Sequence, residues 1–236
     1  NSIYEIGGSL YQAYMYKYAG VDKDNPDESL RGKAMFYKNV LDENGKVIGT
    51  ETTTDFDKAD KYDLGTVLPK LFGGFGTSFS AYGVDFSAQF SFQLGGKYYD
   101  GSYQALMHTN SSLGQAWHKD VLKSWSEENP NSNIPRLDGD VSIGQSAVDC
   151  FLISSNYLSV NNVTLGYTFP EKWTRKIRIA SLRVYVSGEN LAVATARKGI
   201  DPRYSIGLGS HTSGSGLNTG SYGTMRNVTG GITLTF

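Results

Sequence analysis

Three histidines, one cysteine and a cluster of acids are the groups in this sequence that could do chemistry, and their spacing argues against it. His108, His118 and His211 stand at no metal-ligand spacing from one another or from Cys150. Serines lie near each histidine, as a Ser–His esterase would need, but no nucleophile elbow or triad pattern accompanies them. Cys150 is the one cysteine, so an internal disulfide is impossible. Beside Phe151 it reads as a small packed residue rather than a reactive thiol. Asp22, Asp24, Asn25, Pro26 and Asp27 crowd together as in a calcium loop. The EF-hand spacing fails, because Pro26 stands where a ligand is needed and the turn glycine is missing. The expectation is no catalytic residue, no metal and no cofactor.

Aromatic side chains are better suited to a function. Tyr98, Tyr99, Tyr103, Trp117 and Trp125 fall in one long polar stretch, and Tyr204 and Tyr222 in a second. Flat rings with Asp, Asn or Arg nearby suit sugars, which present apolar C–H faces and polar edges. Tyr99, Tyr103, Trp117, Arg203 and Tyr204 are therefore the candidate ligand-binding residues. Trp117 and Trp125 have a second reading, preferred for that pair, in which they pack a loop helix. Asp201 and Arg203 are placed to pair with each other or to touch a partner.

The elements that must position these residues are strands. The 236 residues carry 22 Lys plus Arg against 23 Asp plus Glu, which argues against a basic nucleic-acid-binding surface. Rich Tyr (16) and Gly (28) with short alternating segments point to all-β structure. No apolar run approaches the roughly 18 residues a membrane-spanning helix needs, which leaves a membrane β-barrel open. Residues 9–18 read as a strand with Tyr14, Tyr16 and Tyr18 on one face. Residues 33–37 and 47–54 could pair as a small hairpin around Asp42–Gly45. From Val84 to Leu94 the chain alternates without a break: Val84, Phe86, Ala88, Phe90, Phe92 and Leu94 against Asp85, Ser87, Gln89, Ser91 and Gln93. Residues 73–81 supply its hairpin partner through Tyr82-Gly83. Residues 157–191 repeat the pattern around a short basic connection, Glu171–Lys176. Ser112 could cap a short helix bearing Leu113, Trp117, Val121 and Trp125. The chain ends on Ile232, Leu234 and Phe236 on one face, with Thr233 and Thr235 on the other.

About six long antiparallel strands are expected, with long loops on one side and short turns on the other. That is too few to close a lipid-exposed barrel, so the fragment should be one arc of a larger one. Phe86, Phe90, Phe92, Val184 and Leu234 should face lipid, and Gln89, Gln93, Arg183 and Glu189 a watery lumen. The first residues show no initiator Met or signal pattern, and the chain reads as lacking its own start. Phe236 is expected to be the true C-terminus and to act in assembly. The alternative is a soluble secreted β-sandwich that binds glycans.

Several stretches resemble the C-terminal end of the SusC/RagA family of TonB-dependent outer-membrane importers. They are Asn156-Tyr157-Leu158 through Gly166-Tyr167-Thr168-Phe169-Pro170, and Leu182 through Gly188-Glu189-Asn190-Leu191. Tyr18–Asp22, Pro69–Gly76, Gln93–Gly96, Trp125–Leu137 and Gly199-Ile200-Asp201-Pro202 match in the expected order. The resemblance implies a plugged barrel of the 22-stranded class. It implies import of oligosaccharides, or of peptides in some members, under a SusD-type surface lipoprotein and driven by TonB. It also implies that plug and TonB-contact segment lie N-terminal to the residues present, in a protein of the cell outer membrane.

Overall fold

A computed structural model describes residues 3–107, 116–137, 143, 147–196, 201–204 and 224–236. Two compact units alternate along the chain. The first is built mainly from Asn1–Leu68 and Lys97–Ile153, and the second from Pro69–Gly96, Ser154–Tyr204 and Tyr222–Phe236.

In the first unit β1 (Gln12–Tyr16) pairs antiparallel with β5 (Lys61–Thr66), while β2 (Tyr18–Val21), β3 (Ala34–Leu41) and β4 (Val47–Thr53) form a separate sheet. The expected β3–β4 hairpin is present. Gly45 takes φ of 78° in its turn, and the Asp42 carboxylate accepts the amides of Asn44 and Lys46. The expected single strand over residues 9–18 is two short ones. The chain changes partners at Lys17: the Tyr16 amide donates to the Ala147 carbonyl, and the Tyr18 amide to the Asp149 carboxylate. Its tyrosines accordingly pack within the unit, Tyr16 on Phe56 and Tyr18 on Phe36.

The chain then supplies β6 (Leu71–Ala81) and β7 (Val84–Leu94) to the second unit. It returns for β8 (Lys97–Tyr99), a helix over Gly101–Met107 and β9 (Leu152–Ser154), which pairs with β8. Buried Asp100 opens that helix by accepting the Tyr103 amide. Ala13, Met15, Phe36, Val67, Val148 and Phe151 lead the core of this unit. Of the expected 112–125 helix, Ser112 and Leu113 lie outside the described residues. Lys119–Lys123 is a 3-10 turn, and the Trp125 amide bonds the Ile134 carbonyl instead of continuing a helix.

The second unit is one five-stranded antiparallel sheet, ordered β12 (Asn227–Thr235), β11 (Ser181–Thr195), β10 (Tyr157–Thr168), β7, β6. Tyr82 and Gly83, with φ of 53° and 84°, join β6 to β7 in a tight turn of the left-handed type that suits hairpins. The register carries the alternation across all five strands: Phe79 opposes Phe86, Phe86 opposes Leu165, Leu165 opposes Val186, and Val184 opposes Ile232. At Asn161 β10 holds one extra residue relative to β7. Asn161 and Asn162 therefore both reach polar-side partners, Ser91 and Ser187. This bulge is why Leu158 and Val160 share a face with Val163, Leu165 and Tyr167 despite the change of parity.

One face of the sheet thus carries Phe, Leu, Val and Ile with no charged side chain. Among the described residues nothing covers it: Phe79 is 60% and Ile232 68% exposed. The fold is all-β, an antiparallel arc of barrel. A β-sandwich would have laid a second sheet on this face, and among the described residues the unit has one sheet.

Candidate functional site: the polar face and its loops

The polar face presents Ser78 and Ser80 from β6, Asp85, Ser87, Gln89, Ser91 and Gln93 from β7, and Arg183, Ser187 and Glu189 from β11. The orientation expected for Gln89, Gln93, Arg183 and Glu189 against the phenylalanines is the one the register gives. Arg183 reaches across β10 to Asp85, with Nε 2.9 Å from Oδ1 and Nη2 2.5 Å from Oδ2. Such a fork-on-carboxylate geometry is the strong form of an ion pair. Gly166 lies beneath it. A Cβ there would meet the Asp85 carboxylate at 2.5 Å and the Arg183 guanidinium at 2.6 Å. Tyr185 lies over Gly231 in the same way, and the Arg183 guanidinium stands 4.9 Å from its ring centre. The sequence signal for this pair is opposite charges in the polar phase of two strands, with a glycine between.

A second polar cluster ties a loop to the strands. Arg203 donates through Nε and Nη2 to Asp201 at 2.8 and 2.6 Å, through Nη1 to Ser159 at 2.8 Å, and through Nη2 to Thr224 at 2.8 Å. Asn190, with φ of 51°, accepts from Nη1 at 3.4 Å. Asp201 and Ser159 are buried. Burial alone would raise the Asp201 pKa, but the hydrogen bonds from Arg203 and Thr224 outweigh it and hold the carboxyl below its ordinary value. Arg203 is thus a loop anchor in this structure. Ser159, Asn190 and Thr224 were missed because they lie far apart in sequence.

The remaining candidates sit in the first unit, except Tyr204, whose side chain lies outside the described residues. Tyr99 belongs to the core: its hydroxyl donates to Gln104 Oε1 at 2.8 Å and accepts the Val148 amide at 3.3 Å. That leaves no ring face for a ligand. Tyr103 is half-buried, donates to Asp120 at 3.1 Å and stands edge-on to His118. The hydrogen bond from Lys123 leads in lowering the Asp120 pKa against burial. His118 Nδ1 caps the 3-10 turn by accepting the Asp120 amide. Trp117 is 48% exposed. Trp125 packs over Gly32, where a Cβ would come within 2.3 Å of its ring, so packing is its role. His108, His211 and Tyr222 lie outside the described residues. Cys150 is exposed rather than packed: its turn, Asp149–Phe151, directs Phe151 into the core instead. In the acidic stretch Asn25 donates to Asp22 at 2.6 Å and Asp27 accepts the Ser29 amide. No group of three or more His, Cys, Asp or Glu among the described residues could hold a metal ion. Phe236 follows β12 and is 88% exposed.

No family model matches the chain. It is 30% identical over 199 residues to TonB-dependent receptor P26 of Formosa agariphila, covering 83% of this chain and 19% of that protein. It is 26% identical over 179 residues to TonB-dependent receptor SusC of Bacteroides thetaiotaomicron, covering 73% and 17%. In structure it is similar to the RagAB peptide transporter, with a TM-score of 0.70 and 26% identity over 95% of this chain and 23% of that one. The chain therefore spans about a fifth of the length of the curated relatives it matches. With a sheet apolar on one face and polar on the other, and these relatives in sequence and fold, the chain belongs to the SusC/RagA-type TonB-dependent receptors, as part of the barrel.

Proposed function

We propose that the chain is part of an outer-membrane importer that takes up oligosaccharides. The observation that carries the transport reading is the two-faced sheet: an uncovered apolar face for lipid, backed by a polar face for a watery lumen. The remaining strands and a plug would come from the rest of a longer protein. Energy would come from TonB, and a SusD-type surface lipoprotein would close over the loops. Among the candidate ligand contacts whose side chains are described, Trp117 is the most exposed, which supports it as a sugar contact. The protein itself performs no chemistry on its cargo. The likeness to the RagAB peptide transporter favours a second reading, uptake of peptides.

Deleting the gene and measuring uptake of labelled oligosaccharides and oligopeptides separates these readings. Loss of oligosaccharide uptake alone, with cargo recovered chemically unchanged in the wild type, supports the first. Loss of peptide uptake alone supports the second. Normal uptake of both overturns the importer reading.

A further inference from the structure

The connection between β10 and β11 carries charge that the sheet does not use. Glu171–Thr174 makes one helical turn, Arg175–Ile177 a 3-10 turn, and Arg178, with φ of 60°, ends it. Lys172, Arg175, Lys176 and Arg178 are all exposed. The one carboxylate, Glu171, is taken by Arg175, whose Nε and Nη2 lie 3.0 and 2.7 Å from Oε1. Among the described residues, no carboxylate pairs with Lys172, Lys176 or Arg178.

Beside these cations runs an aromatic row. Tyr167, on the apolar face, stands 5.0 Å from Phe169, and Phe169 stands 6.4 Å from Trp173, between ring centres. The row leads off the apolar face into the turn, where Trp173 is 61% exposed and Ile177 lies beside it in the same state. The turn is held in place. Thr174 is buried, its carbonyl accepts the Ile179 amide at 3.1 Å, and the Ala180 amide donates to Thr235 of β12 at 2.7 Å. Tyr82 and Phe236 lie at the same end of the sheet, where turns are short; in outer-membrane barrels that end is periplasmic.

We infer that this turn docks anionic phospholipid headgroups of the periplasmic leaflet, with Lys172, Lys176 and Arg178 on the phosphates and Trp173 at the acyl boundary. The inference rests on the membrane reading above. Aromatic rings at the level of the headgroups place the neighbouring cations there as well. A zwitterionic headgroup offers them no net charge, whereas each Lys or Arg at an anionic surface favours binding about fivefold before screening. An acidic protein would satisfy the cations but leave the aromatic row, continuous with the lipid face, without a purpose.

The test uses the full-length receptor in lipid nanodiscs and brominated lipids, which quench nearby tryptophans. Comparison with Trp173→Phe isolates the Trp173 signal. Brominated phosphatidylglycerol should displace phosphatidylcholine from this site with about tenfold preference at low salt, falling as salt rises. In the K172Q/K176Q/R178Q variant the preference should vanish while quenching by brominated phosphatidylcholine stays unchanged, which also shows the variant is inserted. Equal quenching by the two lipids in the wild type overturns the inference and leaves the membrane reading standing. Absence of quenching by either overturns both.

Discussion

Gly166 holds open the space in which Arg183 and Asp85 meet. Any side chain there must push the two groups apart, because its Cβ would fall 2.5–2.6 Å from them. The strand backbone at Gly166 needs no glycine conformation; the requirement is purely one of room. Gly166→Val should therefore break the pair and lower stability. The check is the temperature at which the folded receptor converts to unfolded mobility on SDS gels, and an unchanged temperature would mean the pair contributes nothing. Asp201 yields a pH signature. Its folded pKa is depressed, so its stabilisation is complete above the ordinary carboxylate range and is lost as pH falls through the folded value. The stability difference between wild type and Asp201→Asn should stay constant from pH 8 to about 5 and shrink below about 4. A difference that persists unchanged at acid pH would mean the carboxylate charge is not what matters.

Among the elements, β7 shows the face assignment most plainly. Phe90 stacks on Phe75 of β6 at 4.9 Å on the uncovered face, and Gln89 stands on the polar face. Phe90→Arg should cost about 2–4 kcal/mol if the position lies near the bilayer midplane, whereas Gln89→Arg should be tolerated. The amount of folded receptor in outer-membrane fractions reads this directly; equal loss from both would show the faces to be misassigned. The strands β6, β7, β10, β11 and β12 were legible because a two-residue period survives any partner. Their register could not be read the same way. The Asn161 bulge shifts the phase in mid-strand, and nothing in Val160-Asn161-Asn162 announces which residue is extra. The first unit was less legible still. Its strands are short and their order depends on distant hydrogen-bond partners, such as the Asp149 carboxylate for the Tyr18 amide. Tyr99 looked like a ligand contact because a loop tyrosine and a core tyrosine are the same letter. The Asp201–Arg203 cluster was half legible: the pair is two residues apart in sequence, while Ser159, Asn190 and Thr224 come to it only through the fold.

At the scale of the whole molecule, two features argue against an independent soluble life. Among the described residues the apolar face is uncovered, and β6 and β12 leave edge backbone without a strand partner. Expressed alone without detergent, the chain should aggregate; a monodisperse species in sedimentation, with cooperative unfolding, would contradict the barrel reading. Phe236, in phase with Leu234 and at the aromatic end of the sheet, is proposed to act in assembly. Replacing it with Asp should reduce the receptor inserted in the outer membrane while leaving uptake per inserted molecule nearly unchanged. Normal insertion with reduced uptake would place it in the transport path instead.

The strand order has a consequence in parity. Five consecutive antiparallel strands leave β6 and β12 pointing the same way. A ring in which every neighbour is antiparallel closes only with an even number of strands. In a barrel closed in this way, the rest of the ring would contribute an odd number, beginning and ending with strands that point opposite to these two. Gain or loss of a hairpin preserves that condition, and gain or loss of a single strand violates it. Related receptors can therefore differ in girth by pairs of strands, with the wall from β6 to β12 unchanged.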